Sequence, residues 1–167
     1  MTNFPKPHFV QTNGIKMAVY EQGDKNAIPV VMCHGFPEIG YSWRHQLPAI
    51  ADAGFRAIAP DQRGYGRTGG PKGKDAIPLY DMQHLTDDLV GMLDAMEIEK
   101  AIFVGHDWGG MVSWQMPLRH PDRVAGCIGV NTPFLPRAPM DPIAAMRMMY
   151  GEDMYIVYFQ QYGVAEG

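Results

Sequence analysis

Cysteine is scarce in this chain of 167 residues: only Cys33 and Cys127 are present. Two thiols inside apolar, strand-like runs do not make a disulfide framework, so small buried hydrophobes and a reducing compartment are expected. Charge is also thin. Charged residues make up 19% of the chain, the net charge is −4, and no long run of either sign occurs. Neither nucleic acid nor an anionic membrane is therefore an expected partner. No apolar run approaches transmembrane length, and Met1 to Pro7 lacks the apolar core of a signal peptide, so a soluble, cytoplasmic protein is expected. The glycine-rich stretch 60–71 lacks the G-x-G-x-x-G and G-K-[ST] spacings that cradle phosphates. Its Asp61 and Arg63 are expected to hold that loop by a local ion pair and backbone hydrogen bonds. There is no internal repeat, and the acids Asp87, Asp88 and Asp94, like Thr86 expected on the polar side of a helix, make a weak metal site. No metal or cofactor is expected.

What is present is a hydrophobic fraction of 46%, enough for a real core. One stretch dominates it. Ala101 to Val104 reads as a strand buried on both faces, Gly105-His106-Asp107-Trp108-Gly109 turns the chain, and Gly110 to Arg119 reads as a helix. Strand, glycine-flanked turn and helix form the nucleophile-elbow layout, usually written with serine at the centre. Here the centre is Asp107, and the alternative is a surface aspartate in an ordinary turn.

Around that stretch, 8–14 and 15–22 read as a hairpin turned at Asn13-Gly14. Strands are also expected at 28–33, 55–59 and 123–130, the last one buried. Helices are expected at 43–53, capped by Ser42 and kinked or broken by Pro48, and at 82–98. This alternation predicts an α/β fold, a mostly parallel sheet with helices on both faces. From Asn131 the texture changes. Four prolines fall between 131 and 142, and helical pieces rich in Met and Tyr follow. The expected division is a core over 1–130 and the beginning of a helical second unit over 131–167.

Active sites of such sheets lie at the carboxyl ends of central strands. The elbow and the loop His34-Gly35-Phe36-Pro37-Glu38 both leave such ends. That loop reads either as a plain connection or as one that aims a backbone N–H at the elbow. An aspartate is ionised at neutral pH and attacks without surrendering a proton. Its natural target is an electrophilic sp³ carbon, and the product is an ester. Hydrolysing the ester needs an activated water and two donors for the oxyanion. The N–H groups of Phe36 and Trp108 are placed to be those donors.

On His34-Gly35-Phe36-Pro37, Asp61 to Arg67, Gly105 to Gly110, Asn131-Thr132-Pro133-Phe134 and Tyr155 to Gln160, the chain resembles the N-terminal part of an α/β-hydrolase-fold epoxide hydrolase. The resemblance implies Asp107 as nucleophile, Phe36 and Trp108 as oxyanion-hole donors and a cis Phe36–Pro37 bond. It also implies a cap from about Asn131, with Tyr155 one of two tyrosines donating to the epoxide oxygen. Tyr158 is the local competitor for that role. The expected substrate pocket includes His34, Pro37, Trp108 and Phe159, and the expected substrate is a small apolar epoxide. His106, although adjacent to Asp107, is expected to be a core hydrogen-bonding histidine and not the base.

The chain departs from the family pattern in one respect. None of His8, His34, His45, His84 and His120 matches the family's base, and the base, its acid partner and the second tyrosine belong to sequence after Gly167. The strand at 124–130 is then an open edge prone to aggregation, and a C-terminal complement, continued or separate, is the expected partner. The competing functions are dehalogenation of a haloalkane or haloacid by the same aspartate, and a truncated non-catalytic fragment that binds a small apolar ligand or a partner chain.

Overall fold

In a computed structural model the described residues are 4–136 and 139–164, so Arg137 and Ala138 of the proline-rich stretch lie outside them. The Asn13-Gly14 pair adopts positive φ at both positions, 41° and 78°. It closes a two-residue hairpin between β1 (His8–Thr12) and β2 (Ile15–Gln22). The other strands are β3 (Pro29–Cys33), β4 (Arg56–Pro60), β5 (Ala101–His106) and β6 (Val124–Val130). They form one sheet in the order β1-β2-β4-β3-β5-β6. The four strands from β4 to β6 are parallel to one another, and β1 and β2 are antiparallel. The expected mostly parallel α/β sheet is thus observed.

Side chains alternate across the pleat, so successive residues of β3 feed opposite faces. Val31 and Cys33 join Met17, Ile58 and Phe103 on one face, beneath Leu85, Leu89, Met92 and Leu93 of α2 (Met82–Ala95) and Val112 and Met116 of α3 (Trp108–Arg119). Val30 and Met32 join Tyr20, Ala57 and Ala59 on the other, with Trp43 and Leu47. Each large side chain removed from water here stabilises by about 1.5–3 kcal/mol. The spacing of the α2 leucines and methionines places one stripe on the sheet, and the Asp81 side chain caps the helix by accepting from the His84 N–H at 2.8 Å.

Several expectations are corrected. The helix foreseen over 43–53 is a 3-10 turn, Gly40–Trp43, followed by α1 (Gln46–Asp52), and Ser42 does not cap it. Pro48 falls in the first turn of α1, where its missing N–H has no helical partner to lose, so it neither kinks nor breaks the helix. Thr86 and Asp88 are buried, at 0% and 2% exposure. The Thr86 hydroxyl returns to the Met82 carbonyl at 2.8 Å, and Asp88 is committed to a buried arginine described below.

Strand β6 is only half buried, against the expectation of a buried strand. Ile128 and Val130 stand 52% and 42% exposed. Among the described residues β6 has a strand neighbour on one side only, β5, and α3 packs against it. Its Cys127 is half-buried and Cys33 fully buried, and both are free thiols. Pro117, inside α3, cannot donate to the Ser113 carbonyl, and the Cys127 thiol reaches that carbonyl at 3.3 Å instead.

By contact, the chain divides into two compact units, Met1–Phe134 and Leu135–Gly167. The second unit carries α4 (Pro142–Tyr150) and α5 (Tyr155–Tyr158). Asp141 caps α4, and Pro142 opens it at the position proline tolerates. No residue of α4 is buried, whereas Val157 of α5 is. Among the described residues no helix is long and apolar enough to cross a membrane.

Candidate active site

At the end of β5 the chain reverses through Asp107, whose φ of 52° and ψ of −122° are rare for a residue with a side chain. Such a conformation costs on the order of 1–3 kcal/mol and persists only where its surroundings enforce it. The flanking glycines are part of that enforcement. A Cβ on Gly105 would run into the Gly109 carbonyl, and one on Gly109 into the Cys33 carbonyl. Strand and helix backbones therefore touch only because both positions lack side chains.

The loop after β3 comes equally close. A Cβ on Gly35 would stand 2.7 Å from the Asp107 Cβ. The Phe36–Pro37 bond is cis, and the Phe36 N–H donates to Asp107 Oδ1 at 3.0 Å. The Trp108 N–H, the first of α3, donates to the same oxygen at 2.6 Å. Asp107 Oδ2 accepts no hydrogen bond from the described residues. One carboxylate oxygen is thus fixed between two amides while the other is not. The alternative of a plain connection at 34–38 is set aside by that contact.

The donor loop is itself held from below. His34 is fully buried, so it supports the loop and offers no open surface. Its Nε2 accepts from the Gln62 N–H at 3.0 Å, Nδ1 lies 2.9 Å from the Gly35 carbonyl, and the Gln62 amide returns to the His34 carbonyl at 2.6 Å. An Nε2 that accepts fixes the neutral tautomer with hydrogen on Nδ1. Burial accordingly pushes the His34 pKa down. The Tyr65 ring meets His34 edge-on at 4.9 Å, and burial, with the Asp107 charge second, raises its phenol above the usual range. Glu38 closes the loop by accepting the Gly35 N–H at 3.0 Å.

Two sequence expectations for this region fail, the first of them in part. Asp61 and Arg63 form no local ion pair, whereas the expected backbone hydrogen bonds are made. Asp61 accepts the Gly40 and Arg67 N–H groups at 2.8 and 2.9 Å. Arg63 instead forks onto Asp88 at 2.6 and 2.7 Å and donates to the Asn13 carbonyl at 2.9 Å. Backbone donors outcompeted the guanidinium because Asp61 sits where two loop amides converge. His106 is not a core residue either. It is half-buried, with Nδ1 3.5 Å from Glu38 Oε2, since alternation along β5 turns it away from the face covered by α2 and α3.

The geometry brings together Asp107, Phe36 and Trp108, with Pro37 fixed by the cis bond. Tyr155 and Phe159 belong to the second unit, 50% and 40% exposed, their rings edge-to-face at 6.4 Å. Tyr158 packs on Phe159 at 5.6 Å. Among the described residues no cluster of His, Cys, Asp and Glu could hold a metal ion. A cleft of about 630 Å³ lined by Asn13, Lys16, Arg63 and His84 contains none of these site residues. Sequence reasoning missed Thr132, whose hydroxyl donates to the Asp107 carbonyl at 3.1 Å. Its only signal was the Asn131-Thr132-Pro133-Phe134 string, to which no role attached.

Residues 28–161 match a family described as the alpha/beta hydrolase fold. Epoxide hydrolase A of Mycobacterium tuberculosis is 50% identical over 163 residues, 97% of this chain and 50% of that protein. Among solved structures, epoxide hydrolase A of Mycobacterium thermoresistibile superposes with a TM-score of 0.89 at 48% identity, over 96% of this chain and 50% of that one. An epoxide hydrolase of Vigna radiata gives a TM-score of 0.89 at 42% identity, over 96% and 49%. The chain spans about half the length of the relatives it matches.

Proposed function

Because this chain belongs to the alpha/beta hydrolase fold family, we propose that it carries the nucleophile half of an epoxide hydrolase, which turns a small apolar epoxide into a vicinal diol. The observation that carries this reading is the pinning of Asp107 Oδ1 by the Phe36 and Trp108 amides. The free Oδ2 attacks an epoxide carbon, the carbon–oxygen bond of the ring breaks, and the alkoxide takes a proton from a phenol, assigned to Tyr155 of the cap. The product is a hydroxy ester whose carbonyl oxygen, Oδ1, already lies between two donors. Water then adds to that carbonyl carbon, negative charge develops on Oδ1, and collapse releases the diol. Losing one donor of this kind costs about 2.7–4 kcal/mol of barrier.

The base that activates the water, its acid partner and the second phenol are assigned to a C-terminal complement, in the half of the relatives' length that this chain does not span. Pro37 and Trp108 are assigned to the core's share of the substrate pocket, His34 to the support of the loop beneath it, and Phe159 to the second unit's share. A reducing cytoplasmic setting suits the free thiols. The names of the relatives favour epoxide opening over dehalogenation by the same aspartate.

Incubation with styrene oxide followed by intact-mass and peptide mapping tests the reading. An ester on Asp107 is expected, with diol released only when the complement is added. Asp107→Asn, which keeps the shape and tolerates the left-handed turn, is expected to abolish the adduct. An adduct that persists in this variant, or forms with a bromoalkane and not with the epoxide, overturns the proposal.

A further inference from the structure

The elbow is fastened from a side that the glycines do not explain. Asn131, at φ 56°, turns the chain after β6 and places Thr132 over the start of α3. The Thr132 hydroxyl has one proton and two carbonyls in reach, Asp107 at 3.1 Å and Val130 at 3.5 Å, and the shorter contact is to Asp107. That carbonyl already accepts the first free amides of α3, Gly110 at 2.9 Å and Met111 at 3.3 Å. Thr132 is gripped in turn. The Trp114 indole donates to its carbonyl at 2.8 Å, and the Trp114 ring meets Phe134 edge-on at 5.8 Å. Two glycines clear the space: a Cβ on Gly110 would lie 2.5 Å from the Thr132 Cβ, and one on Gly129 2.7 Å from the Trp114 Nε1.

We infer that Thr132 is a positioning residue for Asp107: its hydroxyl bond to the Asp107 carbonyl fixes the peptide plane that follows the nucleophile. That plane contains the Trp108 N–H, so rotating it changes both the strained backbone of Asp107 and the aim of one oxyanion donor. This rests on the reading of Asp107 as nucleophile. A hydroxyl that served stability alone would leave the carboxylate and the Trp108 amide where they are.

The test uses this 167-residue chain and two readouts. The first is the rate of ester formation on Asp107 with styrene oxide as a function of its concentration. Thr132→Val, which keeps the shape and loses the hydroxyl, is expected to lower the limiting rate about 10- to 100-fold while leaving half-saturation unchanged, the range a misplaced reacting group incurs. Thr132→Ser restores it. The second is hydrogen exchange at the Trp108 amide without substrate, expected to quicken in Thr132→Val and recover in Thr132→Ser. Trp114→Phe, which loosens Thr132 but keeps its hydroxyl, is expected to quicken the same amide and serves if Thr132→Val does not fold. Unchanged Trp108 exchange in the folded variants, or wild-type ester formation in Thr132→Val, overturns the inference. Absence of any adduct in the wild-type chain defeats the nucleophile reading instead, and the amide exchange then still decides whether the latch exists.

Discussion

Cys33 and Cys127 are the same residue on strands that flank the same neighbour, and their fates differ. Cys33, on β3, has no exposed surface, and burial pushes its thiol up to about 12. Cys127, on β6, is half-buried, and its thiol is raised as well. The centre of the sheet is complete in itself: β4, β3 and β5 have partners on both sides, layers on both faces and a polar floor whose groups bond one another. Among the described residues the β6 edge has one strand neighbour and keeps Ile128 and Val130 half in water. Asp107 stands where the two regions meet. Completeness on one side is what allows a strained residue to be held.

The comparison can be broken first by truncation. Phe103→Ala in the centre of β5 is expected to cost about 3–5 kcal/mol, whereas Ile128→Ala on the open face of β6 costs less than about 0.5 kcal/mol. Chemical denaturation of both variants checks this, and similar losses would erase the distinction. The buried pair comes next. Arg63→Met leaves Asp88 without its cation and is expected to cost about 3–5 kcal/mol at pH 7. Burial already pushes the Asp88 carboxyl above its usual range, with Arg63 pulling it back. The deficit of Arg63→Met therefore shrinks as the pH falls and the orphaned carboxyl takes up a proton, and a deficit constant with pH would contradict this.

A smaller effect concerns His34. Its folded pKa lies below the unfolded value of about 6.5, so below that pH the unfolded chain binds more protons than the folded one. Stability then falls as pH drops from about 6.5 toward the folded pKa, and is fully present above it. Replacing His34 with Gln is expected to flatten that part of the stability–pH curve relative to wild type. The smallest effect sharpens the opening contrast. Iodoacetamide at pH 8 is expected to modify Cys127 before Cys33 in the folded chain, with both reacting alike in denaturant, as read by peptide mass.

Much of the frame was legible in residue order. Asn13-Gly14 specified the hairpin, the leucine and methionine spacing of 82–96 specified α2, and Gly105 to Gly109 specified a strained turn. These are local rules, in which a few neighbouring residues determine their own backbone. Legibility failed where a side chain had two suitors. Asp61 and Arg63 are two residues apart and of opposite charge, yet each found partners elsewhere in the fold. His106 and Thr86 were misplaced because burial depends on which layer covers a face.

Residue order alone was enough for the succession of elements, the glycines that let strand and helix touch, and an aspartate at the tip of the turn. That the Phe36 and Trp108 amides converge on one oxygen of that aspartate, and that Thr132, two residues past the end of β6, grips its carbonyl, was settled by the assembled sheet. Residues 36, 107 and 132 are far apart along the chain. Hydrogen bonds between them exist only after parallel pairing brings the ends of β3, β5 and β6 side by side, and no local pattern encodes that approach.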